Sequence, residues 1–196
     1  LTAIAGLTNN GIVYLGGDHG ATDNRGVSEL RNDAKVWRKG QYVFGVSNSF
    51  RLADVMRYVF EPPTWNVALN GDAMPFMVKT FVPALRDCVD ESGLEAPAEE
   101  KNESPLPGQV LVGLGSHLFE IEADYQVGRS MDKFRAIGSG DLICLGVLQV
   151  LVHQHDPMSP EDMLYTALGT AEHFVTTVRA PFTIVDNAYS SKSRTK

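Results

Sequence analysis

Thr2-Ala3-Ile4-Ala5-Gly6-Leu7-Thr8-Asn9-Asn10-Gly11-Ile12-Val13-Tyr14-Leu15-Gly16-Gly17-Asp18 is the stretch whose reading decides the fold. It holds two apolar runs, residues 3–8 and 11–16, separated by Thr8-Asn9-Asn10-Gly11. Asn-Gly between such runs is a strong hairpin signal, because both residues tolerate the positive φ of a tight turn. The stretch also begins and ends on polar groups. Thr2 opens the first strand, Asp18 closes the second, and Lys35 stands just before a third apolar run. A threonine hydroxyl is a poor nucleophile unless a base sits beside it, and a chain-terminal threonine supplies one through its own α-amine. The pattern suggests a threonine-type hydrolase, on condition that Leu1 is removed.

Working outward, His19 to Asp33 reads as a polar loop, followed by short strands at Lys35–Arg38 and Gln41–Ser47 with Gly40 in the turn. A helix starts at Asn48 or Ser49 and runs to the Glu61-Pro62-Pro63 stop; its apolar face is Phe50, Ala53, Val55, Met56, Val59 and Phe60. A second helix covers Ala73 to Glu91, with Pro75 in its first turn and Pro83 predicting a kink or boundary. Residues 92–108 are rich in Glu, Pro, Ser and Gly and read as an exposed loop.

Residues 109–115 and 117–122 form another hairpin, with short strands at Tyr125–Val127 and Phe134–Ile137. Gly138-Ser139-Gly140 then leads into a strongly apolar helix. Ser159-Pro160-Glu161-Asp162 starts the last helix, which ends near Thr177, and Pro181–Val185 is a closing strand. Hairpins interrupted by paired helices give an α+β domain with helices covering sheet faces, though pattern alone leaves the layer order open.

The chain has 196 residues, enough for one domain with a substantial core. Its 17 basic and 24 acidic residues give a net charge of −7, which argues against a nucleic-acid or anionic-membrane binder. No run approaches the ~20 apolar residues of a membrane span, and no signal-peptide pattern opens the chain. Cys88 and Cys144, the two cysteines, read as reduced core thiols of a cytosolic protein. His19 adjoins Asp18, but neighbours on a strand face opposite ways. His153 and His155 read as solvated groups at a helix end rather than metal ligands, His173 as a surface or interface residue, and Arg25 and Arg31 as contacts to a neighbouring subunit.

Taken in order, Thr2-Ala3-Ile4-Ala5-Gly6, Gly16-Gly17-Asp18, Ala34-Lys35-Val36 and Ala136-Ile137-Gly138-Ser139-Gly140 resemble the motifs of proteasome β-type and HslV-type subunits. The resemblance covers most of the chain and is greatest to divergent bacteriophage and actinobacterial members. It implies a four-layer αββα sandwich and an N-terminal-nucleophile (Ntn) hydrolase. It further implies a threonine endopeptidase in a homo-oligomeric ring of six or seven subunits, possibly stacked, in the cytoplasm of a bacterium or phage-infected cell. Peptides or unfolded proteins are the implied substrates and an ATP-dependent unfoldase a candidate partner, with no cofactor or metal.

By the same resemblance Thr2 is the nucleophile, Lys35 the cation lowering its proton affinity, and Asp18 the carboxylate holding the lysine. Ser139 bonds near the threonine amine, and the turn Gly45-Val46-Ser47-Asn48 supplies the oxyanion donor, Ser47 matching the family glycine. Without the resemblance, Asp18 and Lys35 could equally be a core salt bridge and Ser139 a helix cap. Further departures from the family are Leu1 before the nucleophile, Ala3 in place of its second threonine, and the lack of a counterpart to its later aspartate, Thr176 or Thr177 falling nearest. Activity would require self-cleavage between Leu1 and Thr2. An inactive scaffold and a small-molecule Ntn amidase are the alternative functions.

Overall fold

A computed structural model describes residues 2–22, 25, 27–94, 106–155 and 158–188. The opening hairpin forms as β1 (Ala3–Asn9) and β2 (Ile12–Asp18), with Asn10 and Gly11 at φ 48° and 79° in the turn between them. β10 (Phe134–Gly138) pairs antiparallel with β1 on one side, and β11 (Phe182–Asp186) with β2 on the other, giving a four-stranded sheet β10-β1-β2-β11. A second antiparallel sheet runs β5 (Val36–Lys39), β6 (Tyr42–Ser47), β7 (Gln109–Leu114), β8 (His117–Ile121) and β9 (Val127–Arg129).

Three apolar clusters define the layers. Ile4, Val13, Leu15 and Ile137 of the first sheet meet Val36, Val43, Leu111 and Leu118 of the second, so the sheets stack face to face. Alternate residues of β1 (Ala3, Ala5, Leu7) turn the other way, onto α5 (Asp141–Leu151) and α6 (Pro160–Phe174). Tyr42, Phe44, Val110 and Val112 of the second sheet pack outward on α1 (Phe50–Tyr58), α3 (Ala73–Phe76) and α4 (Val82–Glu91). The architecture is the four-layer αββα sandwich. Close sheet approach demands small residues in places: a Cβ on Gly45 would stand 2.7 Å from Ile4 Cγ2.

Several boundaries differ from expectation. The polar stretch 19–33 is not all loop, since β3 (Gly20–Thr22) and β4 (Ser28–Leu30) pair as a two-stranded ribbon. β4 is wholly exposed, so no burial pattern marked it. A one-turn helix, α2 (Val67–Asn70), precedes α3. Pro83 leaves the predicted helix over 73–91 unbroken, but the turn before it, Met77–Phe81, is π-helical. The backbone there accommodates a residue with no N–H to return to the preceding turn. Of the predicted loop 92–108, residues 95–105 lie outside the described residues. Leu106 is not exposed: it is buried under the second sheet, and its N–H donates to Ala123 O at 2.6 Å.

Candidate active site

The β2 strand carries Asp18 to the edge where β1 begins, and the sheet stacking brings Lys35 beneath both. Asp18 is fully buried. Its Oδ1 accepts from Lys35 Nζ at 2.7 Å and from the Ala3 N–H at 3.0 Å; its Oδ2 accepts from Gly20 N–H at 2.9 Å and Arg179 N–H at 3.2 Å. Four donors thus offset the cost of removing this carboxylate from water, which a lone counter-ion would not. Lys35, equally shielded, also donates to Gly20 O at 2.5 Å. Burial pushes the Lys35 ammonium below its usual range; Asp18 opposes the shift and Arg31 adds to it.

Thr2 is only 4 % exposed and lines one small, partly open cleft with Lys35. Its position is set from the β10 side. Ser139 Oγ donates to Thr2 O at 3.2 Å, and Gly140 N–H does so at 3.4 Å. Gly138 sits at φ 92°, and a Cβ there would overlap the Thr2 carbonyl oxygen. Only glycine combines that backbone with that approach.

Ser139 is no helix cap: Gly140 occupies the N-cap of α5, and no side chain caps that helix. Instead Ser139 Oγ lies 3.2 Å from Thr177 Oγ1. With its single proton directed at Thr2 O, Ser139 accepts from the Thr177 hydroxyl. Thr177 therefore stands beside the serine where the missing aspartate was noted.

The structure places Thr2, Asp18, Lys35 and Ser139 together. It places the oxyanion candidates less directly. Gly45 is mid-strand against Ile4, and Ser47 is buried with an unpartnered hydroxyl; neither lines the cleft. Val46, Asn48 and Ser49 do. Asn48 has φ 70°, turning the chain from β6 into α1, and Ser49 caps that helix by accepting from Leu52 N–H at 3.0 Å. Phe50, Ala53 and Arg57 of α1 extend the same wall, a contribution the sequence reading did not name. Their i, i+3, i+7 spacing on one helix face was the available signal.

No sequence-family model matches the chain, and no curated protein matches it. Solved structures do. Thiobacillus denitrificans BPH in complex with epoxomicin superposes with a TM-score of 0.74 at 20% identity, over 94% of this chain and 97% of that one. Eukaryotic HslV from Trypanosoma brucei gives 0.66 at 17% identity, over 94% and 98%. Anbu, the ancestral beta-subunit, from Yersinia bercovieri gives 0.66 at 9% identity, over 97% and 85%. The fold is that of HslV- and proteasome-like Ntn hydrolases. At these identities the likeness is one of fold, so the chemistry must be argued from the cleft.

The remaining candidates fall outside it. His19 contacts Arg31 O at 2.6 Å and Thr183 Oγ1 at 2.7 Å through its two ring nitrogens, and no bond joins it to Asp18. His153 Nδ1 donates to Gln149 O at 2.8 Å, a helix-end contact. Among the described residues no group of three or more potential ligands could hold a metal. No helix of the described residues is long and apolar enough to cross a membrane. Cys88 and Cys144 are unpaired, and burial pushes the Cys144 thiol up to about 12.

Proposed function

We propose that this chain is a threonine-type endopeptidase with Thr2 as nucleophile. The observation that carries the reading is the sharing of one cleft by Thr2 and a buried Lys35 that Asp18 holds at 2.7 Å. A structural ion pair needs no nucleophile beside it, and a strand-opening threonine needs no buried cation.

In this reading the peptide bond before Thr2 is cut first, freeing the α-amine. An unperturbed α-amine titrates near ~7.7–8.0, close to the range of a general base at neutral pH. The Lys35 ammonium favours the neutral amine and the ionised hydroxyl alike. Ser139, its proton committed to Thr2 O, offers the amine a lone pair and so orients it. Thr2 Oγ attacks the substrate carbonyl as the amine takes its proton. The oxyanion is met by a backbone N–H of the β6–α1 turn, at Ser47 or one residue along at Asn48 or Ser49. The amine returns the proton to the leaving nitrogen, and water then hydrolyses the ester. Gly45 serves the site indirectly, by letting β1 lie close against β6.

By analogy with the fold, the active form is a ring of six or seven subunits in the cytoplasm, taking unfolded chains from an ATP-dependent unfoldase. Intact-mass analysis tests the chemistry. The expected product begins at Thr2, is abolished by Thr2→Ala, and gains the mass of one epoxomicin when treated with that peptide epoxyketone. Retained Leu1 with no adduct would replace this reading by that of a scaffold. A stable monomer by light scattering would remove the ring.

A further inference from the structure

Three cations line the cleft, and their partners differ. Lys35 is taken by Asp18. Arg31 donates to Asp33 Oδ2 from Nε at 3.2 Å and Nη2 at 2.6 Å, and lies 4.3 Å over the Phe50 ring. Arg57 has no carboxylate within ion-pair distance among the described residues. Its guanidinium stacks 4.6 Å over Trp37 and donates from Nη2 to Ala34 O, while its Nε is shielded from solvent without an acceptor. Because that Nε is shut off from solvent, a ligand in the cleft can meet only the outer nitrogens of the guanidinium.

The approach to Arg57 has a definite shape. Phe50, Ala53 and Arg57 follow one face of α1, spanning seven residues or about 10 Å along the axis. The lining thus combines apolar Val46, Phe50 and Ala53 with polar Asn48 and Ser49, and includes the Arg57 guanidinium. Among the described residues two carboxylates line the cleft: Asp33, which pairs with Arg31 and also feels the Arg57 charge, and Asp54, which is unpaired but exposed, so water and salt screen it more than the partly buried Arg57.

We propose that Arg57 makes this cleft selective for substrates carrying a carboxylate on a short aliphatic stem, as in glutamate, at the residue whose carbonyl Thr2 attacks. The methylenes lie along Val46 and Ala53, and the carboxylate meets the guanidinium. This rests on Thr2 being the nucleophile, but the test does not require turnover.

Acetylated tetrapeptide amides ending in Glu, Gln, Leu or Lys are titrated against the Thr2→Ala chain by calorimetry in low salt. The Glu peptide is expected to bind about tenfold tighter than its Gln isostere, the scale of one charge-assisted hydrogen bond. Raising the salt should narrow that ratio. Arg57→Gln should abolish it, Arg57→Lys should keep part of it, and Asp54→Asn should leave it intact or widen it. The Glu-to-Gln ratio of the chain with Arg57 in place needs no further variant, so misfolding of Arg57→Gln cannot hide the answer. Tighter binding of the Leu or Lys peptide, equal binding of Glu and Gln, or no binding of any peptide overturns the proposal. Failure of epoxomicin labelling with a retained Glu preference would instead overturn the nucleophile assignment alone.

Discussion

Replacing Asp18 by Asn probes the ion pair on which the site depends, and the structure gives the size of the effect. The exchange conserves volume but turns one acceptor oxygen into an NH₂ donor. Each carboxylate oxygen accepts two bonds, Oδ1 from Lys35 and Ala3 and Oδ2 from Gly20 and Arg179. Either amide orientation therefore sets a donor against two donors, and Lys35 loses its counter-ion at 3% side-chain exposure. Removing one partner of such a pair costs about 3–5 kcal/mol. Lys35→Met should cost less, about 1–3 kcal/mol, because three backbone N–H groups still hold the carboxylate. The double variant should then cost clearly less than the sum, with a coupling of about 2–3 kcal/mol. The assay is urea unfolding by far-UV circular dichroism on a Thr2→Ala background, so that every variant keeps the same N-terminus. Additivity within about 0.5 kcal/mol, or an Asp18→Asn cost under about 1 kcal/mol, would refute the reasoning.

Three further outcomes follow from the same geometry. Gly138→Ala adds a methyl group against the Thr2 carbonyl at φ 92°. It should cost about 1–3 kcal/mol and lower the rate of epoxomicin labelling at least tenfold, both measurable on the purified variant. Cys144 binds its proton more tightly in the folded chain, so its contribution to stability is full below the ordinary thiol range and lost as pH rises from there toward about 12. Cys144→Ala should flatten the alkaline fall in stability by up to about 1.4 kcal/mol per pH unit, read from urea midpoints between roughly pH 9 and 11. Ser49→Ala removes the cap of α1 and should cost about 1 kcal/mol in the same urea assay, with weaker Glu-peptide binding because the cap and the cleft wall share one turn.

Much was legible in the linear chain because its signals are local. Asn10-Gly11 needs only its own φ values to make the hairpin, Ser49 and Ser159 cap helices within three residues, and alternation along β1 assigns Ala3, Ala5 and Leu7 to one face and Ile4 to the other. The set Thr2, Asp18, Lys35 and Ser139 was named through the resemblance of its motifs to a known family; local pattern alone left Asp18 and Lys35 readable as a core ion pair and Ser139 as a helix cap. What the sequence could not express was contact between segments far apart in the chain. Thr177 meets Ser139 across 38 residues, Leu106 is buried by a loop closing on Ala123, and β3 and β4 pair without an apolar face. Nothing in the linear chain singled out Arg57. Only the packing of α1 against the strand that carries Trp37, which shields its Nε, turns it into a feature of the cleft. Local backbone preference and burial period are properties of neighbouring residues; the polarity of a cavity is a property of whichever surfaces the fold happens to bring face to face.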